Sequence, residues 1–215
     1  MAHHNRRSFV ARTLGLVTVG GAVRSVGIAQ AQARPRPAWD MSWVDRLSGR
    51  HRQVYDLLWH TLRPNTLTPP TNYFETHEEM SGLKFPDVNV VVGANSTSFP
   101  INASDALWAK FKIGERFTID DPETGQRAVR NVYLGSQTDP RGGTVRGLQA
   151  RGAVFMMCNN SLMALANEWA RDLKVSTTDL HAELTAGLNP GVHVVPALTW
   201  AIGLLQERGF TYERL

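Results

Sequence analysis

A single cysteine, Cys158, in 215 residues excludes any intramolecular disulfide, and with it the stapled scaffolds of small secreted proteins. Histidines are poorly spaced for metal. None of His51, His60, His77, His181 and His193 has a ligand-type partner at i+3 or i+4, so no metal site is expected. The glycines between Gly135 and Gly147 lack the strand–Gly-x-Gly-x-x-Gly–helix setting of a dinucleotide site, so no cofactor is expected either. No Ser-His-Asp arrangement is legible, and Ser161 stands a turn inside a helix rather than on a strained elbow. Charge of one sign is also missing from most of the chain. The formal charge is +4, but residues 1–33 hold Arg6, Arg7, Arg12 and Arg24 and no acid, which leaves residues 34–215 neutral. A neutral body lacks the basic footprint of a nucleic-acid binder. Beyond residue 33 there is no internal repeat and no apolar run of the roughly 20 residues that a membrane helix requires.

What is present begins with an address. Asn5-Arg6-Arg7-Ser8-Phe9-Val10 resembles the twin-arginine export motif; a weakly apolar run follows from Thr13 to Ile28, then Ala29-Gln30-Ala31-Gln32-Ala33 with small residues spaced for signal peptidase. Residues 1–33 are therefore expected to be a signal peptide cleaved near Ala33, engaging the export machinery and directing the protein to the periplasm. Arg34-Pro35-Arg36-Pro37 opens an extended linker, residues 34–49. Within it Trp39 and Trp43 predict a short amphipathic turn that packs on the domain surface.

From residue 50 to 215 strands and helices alternate. Strands are expected at 53–58, 87–93, 153–158, 192–195 and 210–213, and helices at 71–80, 104–111, 144–151, 162–173, 176–188 and 196–209. Residues 113–143 interrupt this order. There Asp120-Asp121-Pro122-Glu123-Thr124-Gly125 reads as a turn between Phe117-Thr118-Ile119 and Ala128-Val129, a small hairpin. The order implies an α/β fold with a mostly parallel five-stranded sheet and helices on both faces.

The densest signal lies at Ala153–Leu173. An apolar strand runs into Cys158, then Asn159, Asn160 and Ser161, all good N-cap residues, lead into a stripe of Leu162, Leu165, Ala166, Trp169 and Leu173. This puts a thiol at a strand's carboxyl end and a helix's N-terminus, where the dipole favours an anion. In a parallel sheet the carboxyl ends share one edge, where crevices form. The neighbours of Cys158 there are Asn95 and Ser96 after the second strand, Asn159 and Asn160 beside it, and Pro196 after the fourth. These five are the candidate binding residues.

Gly152-Ala-Val-Phe-Met-Met-Cys158-Asn-Asn-Ser-Leu162, Val194-Val195-Pro196-Ala197 and Leu205-Gln-Glu-Arg-Gly-Phe-Thr-Tyr212, with Val90–Gly93 earlier, resemble the DsrE/DsrF-like family. Trp108–Lys112 is similar to a segment of its exported, uncharacterised subgroup. The resemblance covers residues 50–215 and is carried mainly by the C-terminal third. It implies a flavodoxin-like fold, assembly as a homotrimer or homohexamer, and a persulfide carried on Cys158 in exchange with a sulfur donor or acceptor protein.

Two readings of the chain follow. In one, Cys158 is the acceptor of a sulfur carrier or sulfurtransferase, with Arg127, Arg130 and Arg141 of the 113–143 insertion folded over the thiol, of its own or an adjacent subunit, to favour an anion. In the other, Cys158 is a small packing residue in a non-catalytic oligomer that binds a small ligand or partner in the same crevice, and those arginines meet only water. Four aromatic residues, Phe99, Trp108, Phe111 and Tyr133, are expected to exceed one core and to mark an interface.

Overall fold

The computed structural model describes residues 39–62, 65–136 and 142–215. The export signal, the Arg34–Pro37 run and Arg141 lie outside the described residues. In chain order the elements are α1 (Ser42–Asp45), β1 (His51–Leu57), α2 (Thr68–Ser81), β2 (Val88–Ala94), α3 (Phe99–Asn102), α4 (Asp105–Phe111) and α5 (Ile113–Arg116). They continue with α6 (Val145–Ala150), β3 (Val154–Cys158), α7 (Asn159–Leu173), α8 (Thr177–Ala186), β4 (Val192–Val195), α9 (Leu198–Glu207) and β5 (Thr211–Arg214). No helix among the described residues is long and apolar enough to cross a membrane.

The strands form one parallel five-stranded sheet in the order β4-β3-β2-β1-β5, an α/β, flavodoxin-like fold. β2 is the central strand because its sequence, Val-Asn-Val-Val-Val-Gly-Ala, suits burial on both faces, and all seven residues are buried. From β1 to β4 the chain steps in one direction across the sheet, then returns over its full width to place β5 beside β1. Crossovers between parallel strands are right-handed, so reversing the direction of travel moves the connecting helix to the other face.

Strand parity records that split. Tyr55, Leu57, Val90, Val92, Phe155 and Met157 pack with α2 to α8, whereas Val54, Val91, Met156, Cys158 and Val195 pack with α9 and α1. We call these the α7 face and the α9 face.

Local chemistry sets the helix ends. The hydroxyls of Ser104, Thr144 and Ser176 accept from the backbone N–H groups of Leu107, Gly147 and Asp179 at the starts of α4, α6 and α8. α7 has no such cap. Its buried stripe is Leu162, Leu165, Ala166, Trp169 and Ala170, while Leu173, expected within it, is exposed in the last turn.

Three expectations need correction. The described part of the 34–49 segment joins the fold: Trp43, Val44 and Leu47 are buried on the α9 face, and the Trp43 indole stacks on His193 with centroids 5.1 Å apart. Phe99, Trp108, Phe111 and Tyr133 do fit one core, all buried on the α7 face, so they mark no interface. The insertion is a turn rather than a two-stranded hairpin. Asp120 and Arg127 form one isolated antiparallel bridge, and Thr118 at φ 56° breaks the extended run. α5 precedes the turn, and a Cβ at Gly114 would stand 2.0 Å from the carbonyl oxygen of Ala128, so only glycine lets the two segments meet. Ile119 and Ala128 thereby enter the α7-face core.

Candidate functional site

Where adjacent strands send their chains to opposite faces, the carboxyl edge of an open α/β sheet opens into a crevice. Here that point lies between β3 and β4. Cys158 ends β3 beside Val195, its register partner at the end of β4; β3 continues into α7 on one face and β4 into α9 on the other. The thiol therefore sits at the switch point.

Its side chain turns toward the α9 face. Cys158 is 6% exposed, among Met156, Val195 and Leu198. The backbone N–H of Leu198, the first residue of α9, donates to Sγ at 3.4 Å. α9 carries no side-chain cap at Ala197, so this orphan N–H finds sulfur instead of a hydroxyl. Packing holds it there. Burying Leu198, Ile202 and Leu205 stabilises by about 1.5–3 kcal/mol each, against the roughly 1 kcal/mol of a typical cap. Gly93 permits the approach: a Cβ there would lie 2.6 Å from Leu198 Cδ1 and 2.9 Å from Met156 Cε.

The predicted neighbours divide. Pro196 stands half-buried in the turn that leads to Leu198. Asn159 belongs to the other side, where its Oδ1 accepts from His181 Nε2 of α8 at 2.9 Å. Asn160 is exposed. Asn95 is committed to the fold, donating from Nδ2 to Leu57 O at 3.2 Å and accepting at Oδ1 from Thr97 N at 2.8 Å. Ser96 lines a separate cleft of about 340 Å³ with Thr97, Arg116, Phe117, Glu168 and Trp169. The structure thus joins Cys158 to the Pro196 turn, and assigns Asn95, Ser96 and Asn159 to other contacts.

The insertion reaches the same edge farther along, at β1 and β2. His60 faces Thr97 O at 2.6 Å through Nδ1 and Phe117 O at 3.1 Å through Nε2, and the Tyr133 hydroxyl donates to His60 O. Arg127 and Arg130 are occupied within the insertion itself. Arg127 pairs with Asp120 at 2.9 Å, and Arg130 grips Asp121 at 2.8 and 3.0 Å and Glu123 at 2.7 Å. The Glu123 backbone N–H and Arg130 together hold the Asp121 carboxyl below its usual range, against its burial. Each of the two arginines is neutralised by an acid of its own turn.

A cleft of about 590 Å³ opens at the opposite, amino edge of the sheet, lined by Phe74, Lys84, Phe85, Arg151 and Gly152. Its cations are matched, Lys84 by Glu78 at 2.7 Å and Arg151 by Glu75 at 3.2 Å, and it lies at the other end of the strands from Cys158. Among the described residues no group of three or more His, Cys, Asp or Glu side chains gathers to hold a metal. Sequence reasoning missed Leu198, whose part is played by a backbone N–H, and Arg116, which lies in the insertion beside the arginines that were singled out.

No family model matches the chain, and no curated protein matches it. Among solved structures, the protein of unknown function MTH1491 from Methanobacterium thermoautotrophicum is similar over 77% of this chain and 99% of its own, with 17% sequence identity and a TM-score of 0.40.

Proposed function

We propose that this chain is an exported, DsrE-like sulfur carrier or sulfurtransferase that holds sulfur as a persulfide on Cys158. One observation carries the reading: the only thiol of the chain ends β3 at the switch point of the sheet, with the Leu198 N–H directed at its sulfur. A donor at that position is what a sulfur anion uses. In the loading step the Cys158 thiolate, its proton passed to solvent, attacks a terminal sulfur of an inorganic polysulfide. An S–S bond forms at Sγ, one S–S bond of the polysulfide breaks, and the shortened polysulfide leaves with the electron pair. In the unloading step an acceptor protein's thiolate attacks the outer sulfur and Cys158 departs as thiolate. The twin-arginine signal, the periplasmic location and the homotrimer or homohexamer belong to the same proposal. Light scattering of the mature chain at micromolar concentration tests the assembly, and a monomer would count against it.

A specific observation favours a second reading, a non-catalytic oligomer that binds a small ligand or partner. Cys158 is buried in an apolar cluster, and none of the clefts described above is lined by it. Mass spectrometry of the intact protein after incubation with polysulfide separates the two. The carrier gains one sulfur atom in the native state and loses that capacity in Cys158→Ser. The binding protein gains none.

A further inference from the structure

The cleft beside Ser96 has an independent chemistry. It lies on the α7 face between the turn that follows β2, α5 and α7, and holds about 340 Å³, the size of a small-molecule site at the lower end of the usual range. Its walls carry one cation and one anion. Arg116 is set in place: Nε donates to Phe111 O at 3.0 Å and the guanidinium lies 4.8 Å from the centroid of the Trp169 ring. Its only acidic partner among the described residues is Asp172, at 3.5 Å and itself largely exposed, a weak pair in solvent. Glu168, one residue before Trp169, forms no ion pair with any described residue. The two opposite charges therefore line one cleft without closing on each other. Between them Phe117, Leu165 and Trp169 supply an apolar wall, and the Ser96 hydroxyl makes no hydrogen bond to another described residue.

We propose that this cleft binds a small zwitterion, an α-amino acid with an apolar side chain. Arg116 and the Ser96 hydroxyl take its carboxylate, Glu168 its ammonium, and the Phe117–Leu165–Trp169 wall its side chain. A free fatty acid or a simple oxyanion would leave Glu168 facing like charge, and an amine would leave Arg116 unmatched. The site stands apart from the thiol, which faces the α9 side of the sheet.

Calorimetry on the whole chain with L-phenylalanine, 3-phenylpropionate and phenethylamine tests this. The first carries both charges, the others one each. Phenylalanine should bind about tenfold or more tightly than either comparator, since each comparator leaves one charged side chain of the cleft without its partner. Arg116→Gln should reduce that affinity by a similar factor. Glu168→Gln, a change on an exposed helix position, should bring phenylalanine and 3-phenylpropionate to equal affinity, and Cys158→Ser should leave all three unchanged. Equal binding of 3-phenylpropionate and phenylalanine in the unaltered chain would overturn the proposal in favour of an anion site. Equal binding of phenethylamine, or no binding of phenylalanine at millimolar concentration, would overturn it outright. None of these outcomes bears on the persulfide, whose test is the mass of Cys158.

Discussion

The α7 face of the sheet is covered, among the described residues, by α2 to α8 and the insertion, and at its centre Trp169 meets Phe99, Phe111 and Phe117 with ring centroids 5.8–6.3 Å apart. Among the described residues the α9 face is covered by α9 and the short α1, and it holds the thiol. Stability is concentrated on the first face and the candidate chemistry on the second. Such a division is physically sensible. A heavily interlocked core resists the small displacements that a reacting thiol needs, and a single helix packed on a sheet can shift without loss of the fold.

The comparison can be broken most severely at Trp169. Trp169→Ala should cost about 3–5 kcal/mol in urea unfolding, because four elements meet at that ring, yet leave the alkylation rate of native Cys158 unchanged. A changed rate would mean that the two faces are not separate. Gly93→Val works from the other side. Its side chain would displace Leu198 and Met156, costing about 1–3 kcal/mol, and by moving the Leu198 N–H away from Sγ it should change the alkylation rate several-fold. An unaltered rate would remove Leu198 from the account.

Acid should loosen the thin face by a smaller amount. Burial, and next the charge of Arg46, hold His193 below the usual histidine range, with Asp40 opposing. The unfolded chain then binds more protons than the folded one as pH falls through about 6.5. Stability contributed by neutral His193 is therefore present above that pH and lost below it. His193→Phe keeps a ring against Trp43 and should reduce the acid slope of the urea midpoint. Burial and neighbouring His51 depress His77 in the same direction, so some slope should remain in that variant. The smallest effect is expected at Arg130→Ala. Its guanidinium is half-exposed and pairs with the buried carboxyl of Asp121 and the exposed one of Glu123; screened by solvent on the arginine side, the loss should be about 1 kcal/mol, and Cys158 should alkylate as before. Any acceleration or slowing would return the insertion to the thiol.

Much of this arrangement was legible in the residues. All five strands fall within two residues of their expected limits, because buried valine runs and alternating helices leave few alternatives. The helices expected from 104 and from 176 begin within a residue of α4 and α8. The side of the sheet that Cys158 faces was not legible, since it depends on where the chain reverses direction and on a backbone donor that has no side-chain signature. Trp43 seemed to belong to a surface turn because its partner, His193, lies at the far end of the chain. The Arg116 cleft draws on the turn after β2, on α5 and on α7, which only the fold brings together. Arg127 and Arg130 were read as unpaired for the opposite reason. Their partners Asp120, Asp121 and Glu123 stood in plain sight in the same turn, and a local pair takes precedence over a distant thiol.

The central claim, that Cys158 is a reactive thiol and not a packing residue, is tested most directly by its alkylation. With one cysteine in the chain, iodoacetamide labelling at neutral pH reads that site without background. The account predicts that the native protein is labelled at a rate comparable to that of the urea-denatured chain. Labelling that is blocked until the protein unfolds would contradict it.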